Sequence, residues 1–322
     1  ELNHASVVDG IRLALRAPAD HAGGGGGGTE PPVVKPVVVG GGAPRASRLH
    51  VYRHNDMAHL EALLTSARAS AEPHRRSLVV TDSLFSMDGD FAELTALAAL
   101  RRKHGFLLVL DEAHATGVCG DAGAGAAAAA GVRAAVDVSV GTLSKALGSH
   151  GGFVCCSRDM KAFLVNKGRP YVYSTALPLP AVAAALSALR VAAREPWRRA
   201  HVWALSRRLG LALSLPALSP VVPVVLGSEA AAVGASAALL AGHRMHVPAI
   251  RPPTVPQGTC RLRVSLSAGH SVAQVDALAA AVTSLGLAPA ALPALTRQAA
   301  EFARRSAWCP EGSDAAHAAS RM

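Results

Sequence analysis

The sequence lacks the features that mark several classes of protein. Its five Cys residues show neither CxxC spacing nor the spacing of metal ligands, so it predicts no disulfide framework and no metal site. No apolar run approaches the ~18 residues that a membrane-spanning helix needs, so we expect no membrane partner. Unpaired Cys residues of this kind are typical of a reducing intracellular compartment.

Aromatic and acidic residues are also scarce. Aromatics make up 4% of the chain, and 32 Lys and Arg outnumber 22 Asp and Glu, for a net charge of +10. A basic chain can bind nucleic acid, but no basic run is interleaved with aromatic residues here, which argues against that partner. A small anionic substrate such as coenzyme A suits the charge, although an Arg-rich composition accounts for it equally well. Half of the residues are hydrophobic, which excludes a disordered chain.

A Lys flanked by small residues stands out in the middle of the chain. Lys145 follows the short apolar strand predicted at Val138–Val140 and lies within Gly141–Gly152, a stretch rich in Gly and Ser. A Lys amine becomes a nucleophile, able to form a Schiff base, when desolvation or neighbouring positive charge keeps it neutral. A surface Lys in a Gly/Ser loop is the alternative interpretation.

An acidic residue closes an earlier apolar strand. The unbroken run Phe106–Leu110 predicts a parallel strand buried on both faces, in a βαβ unit with a strand at Ser77–Thr81. Asp111 ends this strand on the side where open α/β sheets place their ligands. There an acid can keep a pyridinium nitrogen protonated, as pyridoxal phosphate (PLP) requires, or it can simply cap the next turn.

Several blocks of the chain resemble one enzyme family, the α-oxoamine synthases, and most closely its plant-type branch that serves biotin synthesis. These are PLP enzymes of the aspartate-aminotransferase fold (fold type I), an α/β fold with a mainly parallel sheet in the large domain and a smaller α+β C-terminal domain. The resemblance covers about residues 1–17 and 50–285. The blocks, in the family's order, are Leu2–Ser6, His54–Asp56, Thr81–Asp90, Asp111–Gly120, Gly141–Phe153, Tyr173–Pro178 and Ala249–Pro256.

The resemblance implies three catalytic residues. Lys145 would hold PLP covalently and then act as the base that removes the α-proton of the amino acid. Asp111 would keep the ring nitrogen protonated. His4 would stack on the cofactor ring, although a lone His is more often structural.

It also implies further contacts to the cofactor and the substrate. Ser86 and His114 would contact the phenolic oxygen of the ring, and Thr142 would assist at the phosphate. Arg251 and Thr254, in a stiff proline-rich loop, would meet the substrate, and the guanidinium fork of Arg251 suits a carboxylate.

The reaction that this resemblance implies is a decarboxylative condensation of L-alanine with pimeloyl-CoA. Two alternatives stay open: another member of the family that condenses glycine or serine with a different acyl-CoA, and a non-catalytic remnant. We expect a homodimer in which Ser174 and Thr175 serve the neighbouring subunit's site.

The domain organisation follows from composition and the alternation of helices and strands. Residues 1–195 form the predicted PLP-binding domain, 196–286 the small domain and 287–322 a flexible tail. Residues 18–49 include six consecutive Gly and predict a low-complexity surface insertion. We also expect short strands at His50–Arg53 and Tyr171–Thr175.

Both ends of the chain carry expectations. The chain opens inside a family block, so we expect an upstream segment, including a turn that holds the PLP phosphate, to be missing, and PLP binding to be weak without it. At the other end, Ser320-Arg321-Met322 resembles a peroxisomal import tripeptide. We therefore expect a peroxisomal protein, with the cytosol as the alternative.

Overall fold

The computed structural model describes residues 3, 7–11, 48–69, 76–287 and 289–302. Two predictions fall outside these ranges entirely, the ring-stacking His4 and the C-terminal Ser320-Arg321-Met322. Most of the low-complexity insertion and the last part of the predicted tail also lie outside them.

A four-stranded sheet, in the order β1-β2-β3-β4, forms the centre of the first part of the molecule. Its strands are β1 (Leu78–Asp82), β2 (Leu107–Asp111), β3 (Val138–Thr142) and β4 (Gly152–Cys156). The first three strands run parallel and β4 is antiparallel to β3. This mainly parallel arrangement confirms the predicted fold class.

Helices and a buried core cover this sheet. The helices are α1 (Met57–Ala69), α2 (Leu94–His104), α3 (Ala126–Ala129), α4 (Arg158–Lys167), α5 (Arg169–Val172) and α6 (Leu179–Arg194), with 3-10 turns at Asp121–Gly123 and Arg133–Ala135. The apolar faces of α1 and α2 bury Leu60, Leu64 and Leu97 against Leu108 and Leu110 of β2. A face of this kind is what the 3.6-residue periodicity of both helices predicts.

A three-stranded antiparallel sheet, in the order β5-β7-β6, forms the second part. Its elements are α7 (Trp197–Leu213), β5 (Val221–Gly227), α8 (Glu229–His243), β6 (Ala249–Ile250), β7 (Cys260–Ser265) and α9 (Val272–Ser284). Leu262 and Val264 of β7 lie in a second buried core.

Helix α7 joins the two cores. Its Trp203 is buried in the first core and donates a 3.0 Å hydrogen bond from Nε1 to the Val118 carbonyl, whereas its Leu205 and Leu209 lie in the second. The predicted domain boundary after residue 195 falls just before this helix and stays a prediction.

Three local expectations differ from the structure. Residues 50–53 form no strand. The predicted strand at 171–175 is instead the end of α5 and a turn, because Pro170 starts a helical turn after Gly168. Within the predicted tail, residues 293–302 form helix α10 (Pro293–Phe302), whose Leu295 and Gln298 are buried.

Among the described residues, no helix combines the length and the hydropathy that a membrane crossing requires.

Candidate active site

The carboxyl ends of the first two strands bring two carboxylates together. Asp82 and Asp111, the last residues of β1 and β2, are direct partners in the parallel register. Asp82 is only 4% exposed, and Asp111 is half-buried. Side chains of register partners point to the same face of a sheet, so the edge carries two adjacent acids where the sequence predicted one.

Asp111 combines the two roles that its position suggested. Its Oδ1 accepts a 2.8 Å hydrogen bond from the Ala113 N–H, which is the capping bond of the next turn. Its Oδ2 accepts no hydrogen bond from the residues that the structure describes. One carboxylate oxygen therefore holds the turn while the other is available to a ligand.

Lys145 lies in the loop that joins β3 to β4. The loop is closed by hydrogen bonds from the Leu143 N–H to the Gly151 carbonyl (2.9 Å) and from the Gly148 N–H to the Lys145 carbonyl (3.0 Å). Gly141 precedes the loop opposite Phe153, and a Cβ there would lie 2.2 Å from the Phe153 ring. Any larger residue at 141 would have to displace the Phe153 ring.

The surroundings of Lys145 act on its amine in opposite directions. The side chain is exposed as a whole, but partial burial of the amine lowers its pKa below the usual value of Lys. The negative charges of Asp111 and Asp82 raise the pKa, and the positive charge of Arg263 lowers it. Burial prevails, so a larger share of the amine is neutral than in an ordinary surface Lys.

Arg263 is a site residue that the sequence reasoning did not single out. It lies on β7, is half-buried, and its buried Nε has no hydrogen-bond partner among the described residues. Burial lowers the pKa of its guanidinium. The strict alternation of polar and apolar residues at positions 261–266 is the signal that could have found it, because it places Arg263 on the face opposite Leu262 and Val264. A partly desolvated cation beside Lys145 is suited to bind an anionic group of a substrate.

The predicted cofactor contacts lie at the ends of strands or in the loops that follow them. Ser86 is half-buried in the loop after β1, and its hydroxyl has no partner among the described residues. His114 lies in the turn after β2. Thr142 Oγ1 lies 2.8 Å from Ser144 Oγ and 3.2 Å from the Gly151 carbonyl. Thr142 thus braces the Lys145 loop.

The predicted substrate contacts, Arg251 and Thr254, are exposed in the connection between β6 and β7. Arg251 pairs with Glu229 of α8. The Thr254 N–H donates a 3.0 Å hydrogen bond to the Arg251 carbonyl, so the two residues share one turn. Arg251 is therefore held at the surface by a salt bridge that a stronger carboxylate ligand would have to replace.

A neighbour of His4 is fixed at the acidic edge. Asn3 donates from Nδ2 to the Val80 carbonyl (3.0 Å) and accepts from the Asp82 N–H at Oδ1 (3.1 Å). These bonds hold Asn3 at the end of β1. His4 itself lies outside the described residues.

Two further acidic groups near the site have structural partners. Buried Glu112 accepts hydrogen bonds from the Ala126 and Ala127 N–H groups, 2.9 Å each, at the start of α3, and burial raises its pKa. Asp90 accepts a 2.7 Å bond from His54. His54, Asp88 and Asp90 bring ligand-type atoms within 4.8 Å of one another, but Asp88 already pairs with Arg261 and Asp90 with His54.

Comparison with known proteins places most of the chain in one family. The sequence model described as aminotransferase class I and II matches residues 38–282. The 8-amino-7-oxononanoate synthase of Arabidopsis thaliana is 44% identical over 283 residues, which are 88% of this chain and 52% of the relative. The synthase of the same name from Anaeromyxobacter dehalogenans is 47% identical over 290 residues, 88% of this chain and 64% of the relative. The chain thus spans between about half and two thirds of the length of these relatives.

Solved structures show the same relationship. A serine palmitoyltransferase of Sphingomonas wittichii aligns with a TM-score of 0.69 and 36% identity, covering 75% of this chain and 61% of that one. The 8-amino-7-oxononanoate synthase of Francisella tularensis aligns with a TM-score of 0.64 and 24% identity, over 89% of this chain and 74% of that one. The second likeness, at this identity, concerns the fold alone.

Proposed function

Because the chain belongs to the aminotransferase class I and II family, we propose that it is a PLP-dependent synthase that condenses L-alanine with pimeloyl-CoA. The products are 8-amino-7-oxononanoate, CO2 and free coenzyme A. The names of the Arabidopsis thaliana and Anaeromyxobacter dehalogenans relatives support this reaction. The observation that carries the proposal is Lys145, whose pKa is lowered by burial, in the electrostatic range of Asp111, Asp82 and Arg263.

The residues at this edge of the sheet fit PLP. The cofactor needs an amine to bind its aldehyde, an acid for its ring nitrogen and hydroxyl groups for its oxygens. Lys145, Asp111 through Oδ2, and Ser86 have these groups free of other partners among the described residues. His114 lies in the turn after β2 and Thr142 at the end of β3, and His4 completes the proposed set as the residue that stacks on the ring.

Each proposed residue has a defined task. When bound, the cofactor's ring withdraws electrons from the α-carbon of the amino acid. Asp111 keeps the ring nitrogen protonated, and Lys145, once its amine is free and neutral, accepts the α-proton. Arg263, with Arg251 and Thr254 from the small sheet, binds the carboxylate of the amino acid until it leaves as CO2.

The proposal can be tested with a matrix of substrates. L-alanine, glycine and L-serine, each labelled at the carboxyl carbon, are combined with acyl-CoA esters that include pimeloyl-CoA, and labelled CO2 is measured. We expect the highest rate with L-alanine and pimeloyl-CoA, and none in Lys145→Ala. Release of CO2 with no dependence on the acyl-CoA would contradict a condensation.

A second candidate function is the condensation of L-serine with a long-chain acyl-CoA. It is favoured by the similarity to the Sphingomonas wittichii serine palmitoyltransferase. The same matrix of substrates decides between the two, because L-serine with palmitoyl-CoA would then release CO2 fastest.

The remaining alternative is a non-catalytic remnant of the family. Such a protein would bind no PLP and so show no visible absorption band.

We propose further that two copies of the chain form a homodimer through an apolar surface on β4 and helices α4 to α6. More large apolar side chains are exposed there than a surface in contact with water normally carries. They include Phe163, Tyr171, Tyr173, Leu179, Leu186 and Leu189. Ser174 and Thr175 lie within this surface, which supports their contribution to the neighbouring site. Sedimentation of wild type against Leu179→Asp tests the dimer.

The proposed location is the peroxisome, with Ser320-Arg321-Met322 as the import signal. A fluorescent protein fused upstream, with the C-terminus left free, should collect in peroxisomes. Deletion of the three residues should leave it in the cytosol. A cytosolic signal from the undeleted fusion would favour the alternative location.

A further inference from the structure

The loop that carries Ser86 is a closed turn. We call residues 84–91 the Ser86 loop. Leu84 and Phe91 form an antiparallel bridge, the Phe85 N–H donates to the Asp90 carbonyl (2.9 Å), and the Gly89 N–H donates to the Phe85 carbonyl (2.9 Å). These bonds close the loop on itself and tie the position of Ser86 to that of Asp88.

A buried arginine of the small sheet binds the tip of this loop. Arg261 of β7 is 1% exposed, which is unusual for a charged side chain. Its guanidinium pairs with the Asp88 carboxylate and donates from the same nitrogen to the Met87 carbonyl (3.3 Å), while its Nε donates to the Thr259 carbonyl (2.9 Å). Because a buried charge without a partner is strongly destabilising, this arrangement holds the loop and β7 together.

A close backbone contact reinforces the same junction. Gly89 adopts a φ of +69°, and a Cβ there would lie 2.1 Å from the Val221 carbonyl oxygen at the start of β5. The Ser86 loop thus packs directly on the backbone of the small sheet. Two strands of that sheet, β5 and β7, contact the loop at neighbouring residues.

The same strand also contains Arg263, whose positive charge acts on Lys145. Arg263 follows Arg261 by two positions in β7, so both side chains point to the same face of the strand. Arg263 lies close enough to Lys145 to lower the pKa of its amine. A shift of β7 relative to the large sheet would therefore move Arg263 relative to Lys145 and, through the Arg261–Asp88 pair, displace the loop that carries Ser86.

From this geometry we infer that Arg261 is a positioning residue: through Asp88 it sets the place of Ser86 and, through β7, the place of Arg263 beside Lys145. Arg261 does not contact the reacting atoms. Its part in the reaction rests on the proposed function, whereas the link between β7 and the Ser86 loop does not depend on it.

The link is tested first without cofactor, by hydrogen exchange. Arg261→Met and Asp88→Asn are compared with Arg208→Met, which breaks an exposed Arg208–Asp276 pair between α7 and α9. We expect peptides that cover residues 84–91 to exchange at least tenfold faster in the first two variants, and at the wild-type rate in the control. Peptides that cover β5 beyond Val221 should keep their protection. This result would distinguish a released loop from unfolding of the whole small sheet. Asp88→Asn conserves shape and serves if Arg261→Met fails to fold.

The effect on the site is tested with PLP and L-alanine. We expect Arg261→Met to weaken PLP binding at least tenfold and to raise the KM for L-alanine. Arg261→Lys should give intermediate values, because a Lys keeps the positive charge but lacks the forked guanidinium that can bind two acceptors at once. Unchanged exchange of the loop would overturn the link. Faster exchange with wild-type PLP affinity and KM would overturn the positioning role. Failure of the wild type to bind PLP would instead contradict the proposed function, and the exchange result would still decide the link.

Discussion

Asp82 and Asp111 lie side by side at the carboxyl ends of β1 and β2, and the charges of both act on the amine of Lys145. Their negative charges favour the protonated amine, against the burial and the Arg263 cation that favour the neutral one. The reactivity of Lys145 is therefore a balance of four identifiable contributions, and each can be altered by mutation.

Removing either carboxylate should make Lys145 reactive at lower pH. Asp82→Asn and Asp111→Asn each delete a charge that raises the pKa of the amine, so that pKa should fall. The midpoint of Lys145 labelling with an amine-specific reagent, followed by peptide mass spectrometry, should move to lower pH. Asp276→Asn, which alters an exposed pair with Arg208, is the control, and an equal shift there would contradict this electrostatic origin.

Lys145 should be the residue that binds PLP. Its lowered pKa gives it more neutral amine than an ordinary Lys at the same pH. Incubation with PLP and reduction with borohydride should attach the cofactor to Lys145, and Lys145→Ala should abolish the adduct. An adduct that persists and maps to Lys161 or Lys167 would show that the assignment is wrong.

Asp111 should determine the electron-withdrawing power of the bound cofactor. Asp111→Asn keeps an oxygen for the bond from the Ala113 N–H, so fold and PLP binding should survive. The exchange of the alanine α-proton with solvent, measured by NMR, should fall by orders of magnitude because a neutral amide does not hold the ring nitrogen protonated. Near-normal exchange would remove this role from Asp111.

Gly89→Ala should destabilise the fold more than the same change at a glycine with free space. At Gly89 a Cβ meets the Val221 carbonyl oxygen in addition to the cost of a positive φ, for a loss of roughly 2–4 kcal/mol. Gly131 has a φ of +67° with nothing within 4 Å of a Cβ, so Gly131→Ala should cost only about 1–2 kcal/mol. Urea unfolding of both variants measures the difference, and equal losses would argue against the close contact.

Gln298 of helix α10 should contribute to stability. Gln298 accepts from the Phe91 N–H (3.0 Å) and donates to the Phe91 carbonyl (2.6 Å), both in a buried place. Gln298→Ala removes both of these buried hydrogen bonds, at a cost of about 1–3 kcal/mol. Thr296→Ala, at an exposed position of the same helix, should change the free energy of unfolding much less.

Much of the large sheet could be predicted from local patterns. An apolar run closed by Asp111, an amphipathic helix that ends at Gly105, and a second run before Lys145 each depend on residues close in sequence. The short segments were harder. Residues 171–175 are rich in aromatics, which favours a strand, but Pro170 and the preceding Gly168 produce a helical turn instead.

The chemistry of the edge was predicted in part, since Lys145 and Asp111 were identified and Asp82 and Arg263 were not. The significance of Asp82 depends on which strand lies beside β1, and residues close to it in sequence do not show this. Arg263 is one member of a strand in which polar and apolar residues alternate. Nothing near it in sequence indicates Lys145.

The sequence by itself determined the βαβ order, the loop that presents Lys145 and the acid that closes β2, because spacing and residue type over a few positions decide such features. The tertiary structure alone decided that Arg261 binds Asp88, 173 positions away, and that the charge of Arg263 acts on the amine of Lys145. These contacts form when two sheets with separate cores pack against each other. The partner of each buried charge is then set by how β5 and β7 fit on the Ser86 loop, which no local pattern specifies.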